Sequence, residues 1–260
     1  MLSRVALATA AAAGGCTFSA ADQAGERYRC SSAGDCPDGL ACSGGFCGDQ
    51  APAGDAALID APLVTSVCPP GGALLVDDFD SNQLDLSLWM SWSEGTTTVD
   101  LAESRLDITA HADDEGGGVY TLAASPLDES SLVVEVITPD DYSSSTMGVE
   151  LLAEGASTAL VTFCRDNDDL VTKVDGPTTP PEEFSDTFSP DKHRFWRIEE
   201  VGDQIRFSSS PDGSTWSNLG VASSIDLPAS TRLSLWGENY ATATPLVLSF
   251  GSATWCKMTP

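Results

Sequence analysis

The chain has 260 residues and a formal net charge of −27, from 12 Lys and Arg against 39 Asp and Glu. At about 150 residues per domain, this length gives one large or two modest domains and excludes a peptide-sized toxin. The charge disfavours nucleic acid and anionic lipid surfaces as partners, because both are themselves negative. Apolar residues make up 42% of the chain, beside 23 Gly and 15 Pro. This composition is typical of a folded, turn-rich protein and not of a disordered acidic tail.

The first residues have the pattern of a bacterial export signal. A positive start at residues 1–4 precedes a small apolar run at residues 5–13, and tiny residues lead to Cys16. We therefore assign residues 1–15 to a signal peptide, since the run is too short to span a bilayer. The residues before Cys16 resemble a lipobox, which implies a lipoprotein acylated at Cys16 and held at the outer membrane or cell surface. The alternative is a plain secretory signal with an unrelated Cys16, and both interpretations predict export.

Four cysteines within residues 30–47 predict a small disulfide-bonded module. The segment has too few apolar side chains to bury a core, so cross-links must supply the constraint. Three pairings are possible, and we prefer Cys30 with Cys42 and Cys36 with Cys47 because interleaved loops tie the two halves together. Zinc is disfavoured, since neither a C-x2-C pair nor a nearby His is present. The run resembles short four-cysteine modules that follow lipoprotein signals in secreted bacterial proteins.

Two segments without a hydrophobic pattern flank this module. Residues 16–29 form a tether, and residues 48–66 form a linker rich in Ala, Pro and Gly that we expect to be disordered. The large domain then covers residues 67–260. It contains short alternating or β-branched runs about every ten residues, separated by Gly, Pro, Asp and Ser. This pattern predicts an all-β fold, a two-sheet antiparallel jelly-roll sandwich.

One hairpin of the large domain can be placed in register from the sequence. A two-residue turn at Gly202 and Asp203 would pair Ile198 with Phe207, and Glu199 with Arg206. This register sends the apolar pair to the core and the charged pair to solvent, whereas a slip of one residue would reverse both.

Three segments carry a resemblance to a known family. They are Asp77-Asp78-Phe79 followed by Trp89, the strand His193-Arg194-Phe195-Trp196-Arg197-Ile198, and the turn Ser210-Pro211-Asp212-Gly213-Ser214-Thr215-Trp216. From Leu74 to Trp255 the chain resembles the concanavalin A-like lectin/glucanase superfamily. The resemblance implies a jelly roll, and it is closest to non-catalytic, lectin-like domains.

The catalytic members of that superfamily carry an E-x-D-x-x-E run on one strand, and this chain has no such run. The nearest candidates, Glu150 and Glu154, stand about 13 Å apart on an extended strand at about 3.3 Å per residue, whereas a retaining glycosidase needs about 5 to 5.5 Å. We therefore expect no catalysis and no catalytic residues. His111 and His193 are the only histidines, and we expect His193 to be solvated at a strand edge.

Alternation along two strands places aromatic and arginine side chains on a face opposite the core. Aromatic rings stack on sugars and guanidinium groups donate directional hydrogen bonds, so this face is a candidate for carbohydrate binding. The candidate ligand-binding residues are Trp236, Arg197, Arg206, Arg232 and Phe195. The alternative for Trp236 is packing under the neighbouring loop. The remaining tryptophans that we assign to the core are Trp89, Trp196, Trp216 and Trp255.

Acidic clusters give only weak metal candidates. Asp77, Asp78 and Asp80 could lend oxygens to a structural calcium, but they lack the spacing of a twelve-residue calcium loop. We expect no other cofactor.

Cysteines bracket the large domain. Cys68 stands before its first strand and Cys256 after its last, which predicts a Cys68–Cys256 bridge because the termini of such sandwiches lie close together. Cys164 would then be an unpaired, buried thiol.

These observations predict an exported, lipid-anchored envelope protein whose lectin-like sandwich binds carbohydrate without cleaving it. Two alternatives stay open. The first is a structural or adhesion protein that contacts only other envelope proteins, and the second is a glycoside hydrolase or lyase with an unrecognised site. In all three the lipid anchor is the only membrane contact and nucleic acid is no partner.

Overall fold

The computed structural model describes residues 68–81, 83–111, 115–137, 145–153, 159–175, 180–224, 227–240 and 245–258, and the backbone of two short strands in the cysteine module. The strands are β1 (Cys42–Ser43), β2 (Phe46–Cys47), β3 (Ala73–Asp77), β4 (Trp89–Ser93), β5 (Thr98–Leu101), β6 (Leu106–Ala110), β7 (Glu115–Thr121), β8 (Ser125–Pro126), β9 (Ser130–Ile137), β10 (Ser145–Ala153), β11 (Ala159–Asp166), β12 (Asp169–Val174), β13 (Glu182–Thr187), β14 (Phe195–Glu200), β15 (Gln204–Ser210), β16 (Ser217–Ser223), β17 (Ser230–Asn239) and β18 (Leu246–Lys257). Throughout these described ranges there is no helix with the length and apolar composition that a membrane span requires.

The large domain consists of two antiparallel sheets. The front sheet has the order β13-β12-β11-β10-β17-β7-β4, with β8 also paired to β17. The back sheet has the order β16-β15-β14-β9-β18-β6-β5, with β3 also paired to β18. Each sheet combines hairpins of consecutive strands, such as β10–β13 and β14–β16, with pairs of strands that are far apart in sequence, such as β10 with β17 and β9 with β18, as expected of a jelly roll. The predicted all-β, two-sheet sandwich is confirmed.

Side chains from the facing sheets fill the space between them. Phe163 of the front sheet stacks on Trp196 of the back sheet at 4.7 Å between ring centroids and meets Phe207 edge-on at 5.8 Å. Trp89, Trp196 and Trp255 are each 1% exposed, so their assignment to the core is confirmed. The assignment of Trp216 is wrong, because this side chain is only half-buried and lies outside the core.

The β14–β15 hairpin has the predicted register. Ile198 pairs with Phe207 and Glu199 with Arg206. Gly202 and Asp203 have φ values of +58° and +62°, which is the backbone of a type I′ turn. One detail differs: Glu199 forms its ion pair with Arg197 of its own strand, at 3.3 Å, and not with Arg206 across the ladder.

The predicted Cys68–Cys256 bridge is present, with 5.3 Å between the two Cα atoms. The prediction of an unpaired Cys164 is wrong. Cys164 is fully buried on β11 and is disulfide-bonded. The predicted pairings of Cys30 with Cys42 and of Cys36 with Cys47, the acylation of Cys16 and the boundaries of the segments before residue 67 lie outside the described residues and stay predictions. The two pairings and the acylation cannot all hold together, because the disulfide of Cys164 requires one of these five cysteines.

His193 is buried, which corrects the expectation of a solvated histidine. It is 4% exposed, and the backbone N–H of Ser189 donates to its Nδ1 at 3.0 Å. The indole of Trp196 donates to the His193 carbonyl at 2.8 Å. Burial lowers the pKa of His193, against a smaller opposing effect of Asp186. The histidine therefore orders the turn before β14 as a neutral ring.

Candidate functional site

The outer face of the front sheet carries a row of polar and aromatic side chains. On β17, Leu233 and Leu235 are fully buried in the core. Because side chains alternate along a strand, the intervening residues face outward. They are Arg232, Ser234, Trp236 and Glu238.

Glycines on both neighbouring strands make room for Trp236. Trp236 lies opposite Gly148 of β10 and Gly118 of β7. A Cβ at Gly148 would stand 2.8 Å from the indole atoms Cε2, Cζ2 and Nε1, so the indole lies directly on the β10 backbone. A Cβ at Gly118 would stand 2.9 Å from the Trp236 Cα. The tryptophan therefore packs across the sheet, on the backbone of β10.

Further aromatic residues continue this surface towards the β4 edge. Trp92 lies opposite Gly118, and Tyr120 lies opposite Ser234 and Met90. The Tyr120 hydroxyl donates to the Met90 sulfur at 2.6 Å. Trp92, Tyr120 and Trp236 are all partly exposed. Partly exposed rings on one face supply stacking surface for an amphipathic ligand such as a sugar.

Two carboxylates flank Trp236 on this face. Glu150 of β10 lies opposite Ser234, two residues to one side of Trp236 along β17, and Glu238 lies two residues to the other side, opposite Thr146. The two glutamates thus stand diagonally across the indole. They lie on neighbouring strands that are far apart in sequence.

The environment of Glu150 favours its protonated form. Burial, and secondarily the charge of Glu238, raises the pKa of Glu150 to about 7. The Tyr240 hydroxyl donates a hydrogen bond to Glu238. The charge of Glu238 therefore acts on Glu150, although four residues of β17, about 13 Å at about 3.3 Å per residue, separate their backbone positions along the strands.

The predicted ligand-binding residues are divided between two sides of the sandwich. Trp236 and Arg232 lie on the outer face of the front sheet. Phe195, Arg197 and Arg206 lie on the outer face of the back sheet, since their strand neighbours point into the core. They do not form one platform. Alternation shows which residues point away from a core, but not which sheet they belong to.

On the back sheet, Arg197 serves a packing role. Its guanidinium lies over the ring of Trp216, 4.2 Å from the centroid. This cation–π contact explains why Trp216 is held against the outside of the sheet and not in the core.

Among the weak metal candidates, Asp77 has hydrogen-bond partners within the protein. Asp77 accepts hydrogen bonds from the Trp89 indole at 2.7 Å and from the Phe79 backbone N–H at 2.9 Å. Asp80 is exposed, and the neighbouring charge of Asp78 raises its pKa. Within the described part of the chain, no group of three or more His, Cys, Asp or Glu is arranged to hold a metal ion.

The sequence-based interpretation missed Glu238, Tyr120 and Trp92 as parts of this face, and it compared Glu150 only with Glu154 of the same segment. The available signal was Glu150 itself, the one charged residue of strand β10. Glu238 comes from β17, and nothing in the local pattern indicates that β10 and β17 are adjacent.

Comparison with known proteins shows that the fold that carries this face is a known one. No protein-family model matches the chain, and no curated protein sequence matches it. The catalytic domain of an endo-1,3-β-glucanase (laminarinase) from Thermotoga petrophila RKU-1 is similar in structure, with a TM-score of 0.56 and 9% identity, over 72% of this chain and 98% of that one. The fold is the concanavalin A-like jelly roll.

Two other structures are similar to this chain to nearly the same degree. A structure reported with endo-acting O-glycanases of the human gut microbiota has a TM-score of 0.56 and 14% identity, over 72% of this chain and all of that one (100%). The exoplasmic/lumenal domain of VIP36 in its Ca2+-bound form has a TM-score of 0.54 and 9% identity, over 74% of this chain and 93% of that one. At these identities the likeness is one of fold.

The expectation of no catalysis is overturned by this comparison. Glucanases and an O-glycanase stand among the structures with this jelly roll. A spacing of Cα positions along one strand does not exclude a pair of carboxyl groups, because carboxyl groups lie at the ends of flexible side chains and can come from neighbouring strands.

Proposed function

We propose that this jelly roll is a glycoside hydrolase that cleaves a glycan bound on the outer face of the front sheet. The observation that carries the proposal is the diagonal placement of Glu150 and Glu238 on either side of Trp236. Structures with the same fold include endo-glucanases and a VIP36 domain with bound Man3GlcNAc, which supports a glycan as the ligand.

The two carboxylates would share the chemistry of glycosidic cleavage. Glu150, neutral because its pKa is about 7, donates its proton to the glycosidic oxygen as the bond to the anomeric carbon breaks. Glu238 would be the second carboxylate, which either attacks the anomeric carbon or removes a proton from the water that does. Both side chains must then turn towards each other across Trp236, because the two carboxyl groups have to approach to about 5 to 9.5 Å from backbone positions about 13 Å apart along the strands. In both cases one water is consumed, and its hydrogen and hydroxyl end on the two sugar products.

Trp236 would hold the sugar between these two groups. Its indole lies directly on the backbone at Gly148, where any side chain would displace it. A ring held in advance costs little entropy on binding and fixes the reacting atoms relative to the acid. Trp92 and Tyr120 extend the stacking surface towards the sheet edge.

The test is hydrolysis by the exported chain. We expect reducing ends to be released from at least one of laminarin, mixed-linkage β-glucan or mucin O-glycans, with activity falling as pH rises through about 7, because Glu150 then loses its proton. Glu150→Gln and Glu238→Gln should each lower the rate by roughly 10²- to 10⁴-fold.

The matched control is Glu183→Gln, an exposed residue in the same cross-strand row as Glu150. This variant should leave the rate unchanged. No release from any of the three glycans, or an unaltered rate in Glu150→Gln, would refute the proposal.

We also infer that the chain is an envelope lipoprotein acylated at Cys16, on the evidence of its signal sequence alone. The chain has eight cysteines, so acylation of Cys16 leaves an odd number. With Cys68 bound to Cys256 and Cys164 in a further disulfide, one cysteine of the module would have no partner within the chain. Labelled palmitate should enter the wild type and not Cys16→Ala, and thiol titration of the acylated form should detect one free or intermolecularly bonded cysteine. Unlabelled wild-type protein would contradict the anchor.

A further inference from the structure

Arg232 is the basic residue on the outer face of the front sheet nearest to the candidate site. It lies on β17 two residues before Ser234 and four before Trp236, opposite the apolar Leu152 of β10. At about 3.3 Å per residue, four residues place it about 13 Å from Trp236 along the strand. Glu150 lies between them, on the neighbouring strand.

This arginine has no partner in the described part of the chain. Its Nε is buried without a hydrogen-bond acceptor, and it takes part in none of the ion pairs there. The basic residues that do form ion pairs are Arg105, Lys173, Arg194, Arg197 and Lys257.

An arginine that forms no ion pair, although Glu150 lies diagonally across from it, is unexpected here, because acids outnumber bases by 39 to 12 in this chain. A buried donor that lacks an acceptor costs free energy in the absence of a ligand. Trp236 shows the same feature on the same strand, since its Nε1 is also buried without an acceptor. Arg232 as a whole is partly exposed, so part of this side chain is open to an acceptor from outside the protein.

We propose that Arg232 is an anion-binding subsite, and that the glycan bound on this face carries a carboxylate or a sulfate group next to the sugar that stacks on Trp236. The inference rests on the proposed function only in placing a glycan on this face. A guanidinium recognises carboxylate and sulfate oxygens by the same paired, charge-assisted hydrogen bonds, so the two sources share one chemistry.

The net charge of −27 does not prevent such binding. At physiological salt, charges beyond about 8 to 10 Å are largely screened, so an anion at the guanidinium responds mainly to Arg232. Glu150 opposes it little at pH values below about 7, because most of it is protonated there. An anion bound at Arg232 and a protonated Glu150 can therefore be present together.

The experiment compares glycans that differ only in charge. Full-length protein carrying Glu150→Gln, so that no substrate is consumed, is titrated by calorimetry with laminarin, sulfated laminarin and carboxymethylated laminarin. Methyl-esterified and de-esterified galacturonan form a second matched set. We expect at least one anionic member to bind roughly tenfold or more tightly than its neutral counterpart, and the sulfated and carboxylated arms identify the anion.

Adding Arg232→Gln should remove that preference and leave the neutral glycan unaffected, while Arg232→Lys should keep part of it. Arg206→Gln, an exposed arginine on the back sheet, is the matched control and should change nothing. Circular dichroism and melting of each variant show whether it is folded.

The outcomes separate the two proposals. If no anionic glycan is preferred, or if Arg232→Gln leaves the preference intact, the subsite is refuted even where the wild type cleaves glycans. If the preference depends on Arg232 and the wild type releases no reducing ends, the subsite is supported and hydrolysis is refuted.

Discussion

Replacing Glu150 with Gln should change how the stability of the fold depends on pH. The folded state raises the pKa of Glu150 from its ordinary 4.5 to about 7, chiefly through burial. At about 1.4 kcal/mol for each pKa unit, this corresponds to about 3 kcal/mol. The folded protein holds the proton more tightly than the unfolded chain, so the free energy of unfolding should fall as pH rises from about 4.5 to about 7.

Glutamine has nearly the shape of the protonated glutamate and cannot ionise. At about pH 4, below both pKa values, Glu150→Gln and wild type should therefore unfold at similar urea concentrations. At about pH 8 the variant should be more stable, by a free energy of unfolding approaching 3 kcal/mol. Glu183→Gln, exposed on β13, should show no difference between the two pH values. If Glu150→Gln is no more stable than the wild type at the higher pH, or is more stable by the same amount at both pH values, the Glu150 carboxyl is not buried as described.

Three further changes test other parts of the fold. Cys256→Ser removes the disulfide to Cys68, which closes a loop with a sequence separation of 188. This variant should lower the free energy of unfolding by about 2–5 kcal/mol. An unchanged urea midpoint would contradict a stabilising role of the disulfide. Gly202→Val, at a φ of +58°, should cost about 1–2 kcal/mol and leave glycan binding intact, as checked by calorimetry. Gly148→Ala places a methyl group 2.8 Å from the Trp236 indole. This variant should weaken glycan binding while its melting temperature stays close to that of the wild type. Binding as tight as that of the wild type would show that the position of the indole does not matter for the ligand.

Local sequence patterns predicted the parts of the fold that local contacts determine. The β14–β15 hairpin is an example, because Gly202 and Asp203 set the turn and the Ile198–Phe207 pair sets the register within a few residues. The Cys68–Cys256 bridge was predictable for a different reason, since both residues lie at the ends of the same domain. Neither prediction needed the order of strands in the sheets.

The candidate site was not predictable in the same way. Glu150 and Glu238 become neighbours only because β10 pairs with β17, and that pairing depends on the topology of the whole sandwich. The same limit placed Arg197 beside Trp236, although the two face opposite sides of the protein. His193 was misplaced because its burial depends on the Phe188 and Ser189 segment that folds over it.

The bridge between Cys68 and Cys256 also determines how the body responds to mechanical load. Cys68 is where the large domain begins, and Cys256 lies on β18, the 12-residue strand between β9 and β6 in the back sheet. Tension applied through the residues before Cys68 passes along the disulfide to this central strand. The hydrogen bonds between β3 and β18 therefore do not break one after another under this load. When the domain is pulled from its N-terminal side, by flow or by a bound polymer, the force is therefore carried by a strand that has hydrogen-bonded neighbours on both sides.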